Sequence, residues 1–164
     1  MKLHVGCGPL IKEGYKHQDV VNLPHIDYNS VAWSINEADN SFDEIFSRHF
    51  FEHLHPWEAQ DTLKEWCRVL TSDGMIVMSL PNLEFHIKQF NMPGNSEILP
   101  AKTNMEHAMA SIYGWPNRER PWMAHGWGYT AHSLRVLLME YFSDIQFQPC
   151  RKCDLSVIAK GKLQ

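Results

Sequence analysis

No run in this chain approaches the roughly 18 consecutive apolar residues that a membrane-spanning helix needs. The opening MKLHVGCGP has no apolar stretch of signal-peptide length either. The expectation is a cytoplasmic protein with no membrane partner. Positive charge is also scarce: 15 Lys and Arg stand against 19 Asp and Glu, a formal charge of −4 with a pI near 6.2. A nucleic-acid groove neutralises phosphates with clustered cations. The densest basic stretches here, Arg118–Arg120 and Arg151-Lys152, are short and interrupted. Nucleic acid is not an expected partner. Cysteine is sparse, and four residues suit reduced thiols. Cys150-Arg151-Lys152-Cys153 is a lone C-x-x-C, half of a zinc site or a redox pair without its usual setting. Repeats, low-complexity tracts and linkers are lacking too. The whole chain, 1–164, therefore reads as one domain able to bury about 68–70% of its unfolded surface.

Histidine, by contrast, is plentiful, and three of the ten fall in RHFFEHLHP, residues 48–56. His49 to His53 spells H-x-x-E-H, the inverted zinc-peptidase signature, in which two histidines one helical turn apart hold a metal beside a general-base Glu. A peptidase needs those residues inside a regular helix. Pro56 belongs at a first helical position, where its missing N–H costs nothing, so the helix is expected to begin only after the motif. No metal is expected.

The remaining pattern alternates strands with helices. Lys2–Val5 and Tyr15–Val21 read as short strands, and Phe42–Ser47 alternates apolar and polar residues over a strand's length. Residues 57–70 carry Ala59, Leu63, Trp66, Cys67 and Leu70 at helical spacing. Thr71–Gly74 reads as a turn, and Met75–Leu80 as a strand buried on both faces. Residues 83–129 have no clean period beyond one helix near Asn104–Tyr113. Thr130 then caps a helix bearing Leu134, Leu137, Leu138 and Tyr141. Strands near 144–148 and 155–160 close the chain as an antiparallel pair. The fold class expected is α/β: a mostly parallel sheet with helices on both faces.

In such sheets ligands bind beyond the carboxyl ends of the strands, where strand order reverses. Gly6-Cys7-Gly8 follows the first strand, where glycines let the backbone approach a ligand. Asp19 ends the second, where a carboxylate can accept both hydroxyls of a ribose. "LHVGCGPLIKEGYKHQDV" resembles the opening of class I S-adenosylmethionine-dependent methyltransferases, in a small type-11-like subgroup reading L-x-x-G-x-G…G-[WY]-x-x-x-D. "SFDEIFSRHFFEHL", "EWCRVLTSDGMIVMSLPNLE" and "HGWGYTAHSLRVLLMEYFSDIQF" are similar to later segments of the same family, in the family's order.

That resemblance implies a Rossmann-like seven-stranded sheet in order 3-2-1-4-5-7-6 with an antiparallel last strand. It implies S-adenosylmethionine as cofactor and S-adenosylhomocysteine as product. It places Gly6, Cys7, Gly8, Asp19, Asp27, Ser47 and His49 at the cofactor, with Asp27 on the adenine amino group; Trp33 is expected in the core or as surface cover, with packing near the adenine ring as the alternative. The H-x-x-E-H then coincides with the family's segment past the fourth strand. Residues 83–129 become a cap or acceptor-loop insertion holding His107, His125 and Tyr129 as catalytic candidates, with His125 preferred as base. The departures are His4 where many relatives carry an acid, a missing third glycine, and only seven residues between Asp19 and Asp27. The helix after the second strand should therefore be reduced or absent. The N-P-P-[YF] of base methyltransferases is lacking, which disfavours DNA bases as acceptors, and relatives with this opening often look like small-molecule or sugar-pathway enzymes, so the resemblance implies a small-molecule acceptor. A catalytically silent binding subunit of the same fold and a zinc hydrolase using residues 49–53 are the competing readings.

Overall fold

A computed structural model of the chain describes residues 1–98 and 100–163. Seven strands form one sheet: β1 (Lys2–Val5), β2 (Lys16–Asp19), β3 (Tyr28–Asn29), β4 (Phe42–Arg48), β5 (Leu70–Pro81), β6 (Phe142–Phe147) and β7 (Asp154–Lys162). Their order is β3-β2-β1-β4-β5-β7-β6, as the resemblance implied. The β1–β2, β2–β3, β1–β4 and β4–β5 pairs are parallel, whereas β7 runs antiparallel to β5 and β6. The chain winds outward from β1 to β3, then returns to lay β4 on β1's other side. The carboxyl ends of β1 and β4 thus flank the switch point where a ligand crevice opens.

Helix α1 (Pro56–Val69) starts with Pro56 at its first position, and Glu58 accepts the His55 N–H at 2.8 Å. Its inner face puts Ala59, Leu63, Trp66 and Val69 fully out of water against Phe42, Ile45, Phe51 and Ile76 of the core cluster. Each Leu- or Val-sized side chain buried there contributes about 1.5–3 kcal/mol. Residues 71–74 are not a turn. They are a bulged part of β5, where pairing with β4 jumps from Phe42↔Leu70 to Glu44↔Met75.

Between β2 and β4 no helix forms. A strap over residues 30–41 covers the core through Ala32 and Ile35 instead. Arg68 fastens it. Its guanidinium donates to the Ile35 and Glu37 carbonyls at 3.0 and 2.9 Å, to Asp39 at 2.7 Å and to both oxygens of Glu65. Glu65 in turn accepts the Ile35 N–H at 2.7 Å. A half-buried bidentate pair holds its geometry better than a loose surface ion pair.

The 83–129 segment is more ordered than its sequence suggests. It contains α2 (Leu83–Phe90), α3 (Asn104–Tyr113) and a single 3-10 turn at Pro121–Met123. Thr103 caps α3 reciprocally with Glu106, and Thr130 caps α4 (Ala131–Leu138) with Ser133. Helices α2 and α3 pack on each other. The segment is moored beyond β4 and beside the β6–β7 connection: Glu52's carbonyl accepts the Gly126 and Trp127 N–H groups, and Cys153's carbonyl meets His86 Nε2 at 2.9 Å.

Candidate functional site

The loop after β1 is shaped by two left-handed glycines, Gly6 at φ +62° and Gly8 at φ +51°. They differ in surroundings. A Cβ on Gly6 would lie 2.2 Å from the ring of Phe50, which therefore forms the wall on that side. A Cβ on Gly8 would meet no atom within 4 Å, so its backbone faces open crevice. Asp19, at the carboxyl end of β2, accepts the Gly8 N–H on Oδ2 at 2.8 Å and the Val21 N–H on Oδ1 at 2.9 Å. Each oxygen keeps a lone pair, which is what two ribose hydroxyls require. Leu10, Ile11, Val20 and Val21, in the loops on either side, are all exposed. An acceptor pair, an open glycine and flanking apolar side chains fit the ribose end of S-adenosylmethionine.

Other residues assigned to the cofactor from sequence sit differently. Cys7 is buried, its N–H goes to the Gln18 carbonyl at 3.3 Å, and burial together with the Asp19 charge pushes its thiol up to about 12. It shapes the loop and stays a neutral thiol. Asp27 is a correction. It precedes β3 and lies beside the start of β2, where its carboxylate accepts the His17 N–H and the Lys16 ammonium at 2.8 Å each. That is the amino end of the strand pair, away from the crevice, and the adenine role loses its geometric support. Trp33 is partly buried against the core. Ser47 stands in the ladder between Val5 and Met78 with its hydroxyl buried and unpartnered. The His49 N–H is spent on the Ser79 carbonyl at 2.8 Å, and its ring lies 3.4 Å from Glu52 and 3.9 Å from Asp154. Sequence reasoning missed His25, whose Nε2 meets the Gly8 carbonyl at 2.9 Å and steadies the loop. It also missed Phe50.

On the other side of the 49–53 loop lies a cavity of about 310 Å³, lined by His49, Glu52, His53, His107, His125 and Asp154, among others. His125 is fixed to the carboxyl end of α3: Nδ1 donates to the Ser111 carbonyl at 2.9 Å, and its N–H to Tyr113 at 3.1 Å. Burial holds its pKa below the usual histidine value, so the ring is neutral with Nε2 as a free lone pair. Gly126 follows and needs to be glycine, because a Cβ there would come 2.8 Å from the Leu54 backbone. That close approach brings His125 edge-on to His53, ring centroids 4.7 Å apart. His107 is buried, with Nδ1 2.9 Å from the Gln89 amide. Tyr129 is a second correction. It belongs to the core, 5.5 Å from the Phe51 ring, and burial, aided by the Glu52 charge, raises its phenol above the usual value. It cannot act as a base at neutral pH.

The peptidase geometry is not present: Phe51–His53 is one 3-10 turn, and α1 begins only at Pro56.

Residues 11–78 match the model of a methyltransferase domain family, a stretch running from just past the glycine loop into β5. Over that stretch the chain is similar to a methyltransferase domain. The family's cofactor is S-adenosylmethionine, and Asp19, Phe50, Glu52 and His53 all lie in the matched stretch. Solved structures share the fold. The PH0226 protein of Pyrococcus horikoshii OT3 superposes with a TM-score of 0.65 at 16% identity, covering 98% of this chain and 81% of its own. A methyltransferase from Archaeoglobus fulgidus gives 0.62 at 16%, covering 97% and 85%. The 1,6-didemethyltoxoflavin-N1-methyltransferase of Burkholderia thailandensis, solved with its substrate and S-adenosylhomocysteine, gives 0.60 at 16%, covering 98% and 70%. No curated protein matches the chain significantly. Among the described residues, no helix of this methyltransferase-fold chain is long and apolar enough to cross a membrane.

Proposed function

We propose that this protein is an active S-adenosylmethionine-dependent methyltransferase acting on a small-molecule acceptor. The observation that carries the reading is Asp19, a carboxylate held by the Gly8 and Val21 N–H groups at the carboxyl end of β2, beside the open Gly8 backbone. Asp19 would accept the ribose hydroxyls, Gly8 would permit close approach, and Phe50 would wall the crevice at Gly6. The cofactor supplies an electrophilic methyl group on sulfonium. The chain's own task is to align the acceptor in line with that bond and keep water away.

The acceptor side is assigned to the 310 Å³ cavity over the 49–53 loop, roofed by α3 and the 123–125 segment. Small volume and a histidine-rich lining suit a small molecule better than a polymer. The Burkholderia enzyme, solved with bound 1,6-didemethyltoxoflavin, lends weight to that class. Calorimetric titration with S-adenosylhomocysteine tests the reading. Asp19→Ala should weaken binding by about 1.5–3 kcal/mol, the range for hydrogen bonds to a charged group. Unchanged affinity would remove the ribose role.

A further inference from the structure

Glu52 is only 2% exposed, and neither carboxylate oxygen has a hydrogen-bond partner. His49 Nδ1 is 3.4 Å from Oε1 but at an angle that makes no hydrogen bond. A carboxylate out of water without a donor is costly, and structures seldom leave one so. Its neighbours deepen the puzzle. His53 Nδ1 lies 2.9 Å from the Ala124 carbonyl and His125 Nδ1 2.9 Å from the Ser111 carbonyl. A carbonyl only accepts, so both Nδ1 atoms carry the hydrogen and both Nε2 atoms are bare lone pairs. One ligand atom from each of Glu52, His53 and His125 falls within 4.8 Å of the others. Three ligand atoms converge there, and the Glu52 carboxylate among them receives no hydrogen bond.

We infer that Glu52, His53 and His125 form a binding site for a divalent transition-metal ion of the zinc type, open to the cavity. Two imidazoles and one carboxylate are a donor set that such ions take with a further position left for water or an oxygen of a bound molecule. Each histidine is set for the task, because a ring N–H given to a backbone carbonyl fixes tautomer and orientation. The framework is built as well: Gly126 packs on the Leu54 backbone, and the Gly126 and Trp127 N–H groups bind the Glu52 carbonyl. His53 and His125 are half-buried, which gives the ion a way in. The H-x-x-E-H segment thus contributes its Glu and second His, while the third ligand comes from beyond α3. With its lone pair on the metal, His125 coordinates and does not act as a free base.

The test uses the untagged full chain, stripped with chelator and titrated with zinc or cobalt chloride. One equivalent of zinc should bind, and cobalt should give the visible bands of a low-coordinate nitrogen–oxygen site without a thiolate charge-transfer band. Glu52→Gln and His125→Ala should each lower zinc affinity by more than the roughly 10–100-fold lost with an outer-shell partner. The controls Cys150→Ser and His132→Ala should bind as wild type. Cobalt spectroscopy needs no variant, so a poorly folding mutant leaves the test intact. Failure to bind a stoichiometric ion, a thiolate band implicating Cys150 and Cys153, or full affinity in folded Glu52→Gln would overturn the inference. None of these readouts depends on cofactor binding or methyl transfer.

Discussion

Gly6 and Gly8 share a left-handed backbone but not an environment, and alanine at each position separates fold from ligand contact. The backbone strain is common to both and costs about 1–2 kcal/mol. Gly6→Ala adds a methyl carbon 2.2 Å from the Phe50 ring, a clash that must be relieved by moving a half-buried side chain. Overpacking of that kind costs roughly 1–3 kcal/mol more. Gly6→Ala should therefore lose about 2–5 kcal/mol, and Gly8→Ala about 1–2. At about 2–4 °C per kcal/mol for a chain of this size, the midpoints should fall by roughly 4–20 °C and 2–8 °C. The clash is pairwise, so Gly6→Ala and Phe50→Ala combined should cost less than their sum, by about 1–3 kcal/mol. Gly8→Ala should still fold yet bind S-adenosylhomocysteine at least about tenfold more weakly, a loss of about 1.4 kcal/mol. Urea unfolding and calorimetry on the wild type and the four variants decide it. Equal stability losses at the two glycines, with no coupling to Phe50, would refute the reasoning.

Other expectations follow from the same packing. His4 is buried with both ring nitrogens unpartnered, and burial, with His17 nearby, lowers its pKa to about 4. The unfolded chain, near 6.5, takes up the proton first, so this stability is intact above about pH 6.5 and is lost as pH falls toward 4. Between pH 7 and 5 the loss should be about 2 kcal/mol by urea unfolding, and His4→Leu should flatten it. Arg68→Ala removes five hydrogen bonds, three of them tying the strap to α1 and two holding Glu65, and should cost about 2 kcal/mol, discounted for partial exposure. Tyr129→Ala should cost about 3–5 kcal/mol as a core truncation, whereas Tyr129→Phe should keep both stability and cofactor affinity.

The sheet order, the antiparallel β7, the absent helix after β2, the α3 boundaries and the Thr130 cap were all legible. The strand order came with the family resemblance, whereas the missing helix rests on the short Asp19–Asp27 spacing and the cap on Thr130 standing just before a helical apolar pattern. Helix α2 was not legible because its pattern misleads. Its buried face carries His86 and Gln89, satisfied by the Cys153 carbonyl and by His107, while Ile87 and Phe90 stay exposed. The Thr71–Gly74 turn failed for a different reason. Its residues favour turns, but pairing beyond Gly74 carries the strand through as a bulge. At the site, Asp19 and the glycines were read from position alone. Asp27 misled because an Asp at the right distance in sequence lies at the wrong end of its strand. The meeting of Glu52 and His53 with His125 depends on Gly126 packing against Leu54, a long-range contact that no local pattern announces.

The central claim is that the crevice at the β1–β4 switch point binds the methyl donor. Equilibrium dialysis of the full chain against methyl-labelled S-adenosylmethionine tests it most directly, with Asp19→Ala alongside. The account predicts one equivalent of label retained by the wild type, displaced by S-adenosylhomocysteine and released from Asp19→Ala at concentrations that still saturate the wild type. No retention by the folded wild type up to millimolar cofactor, or equal retention by the variant, would contradict it.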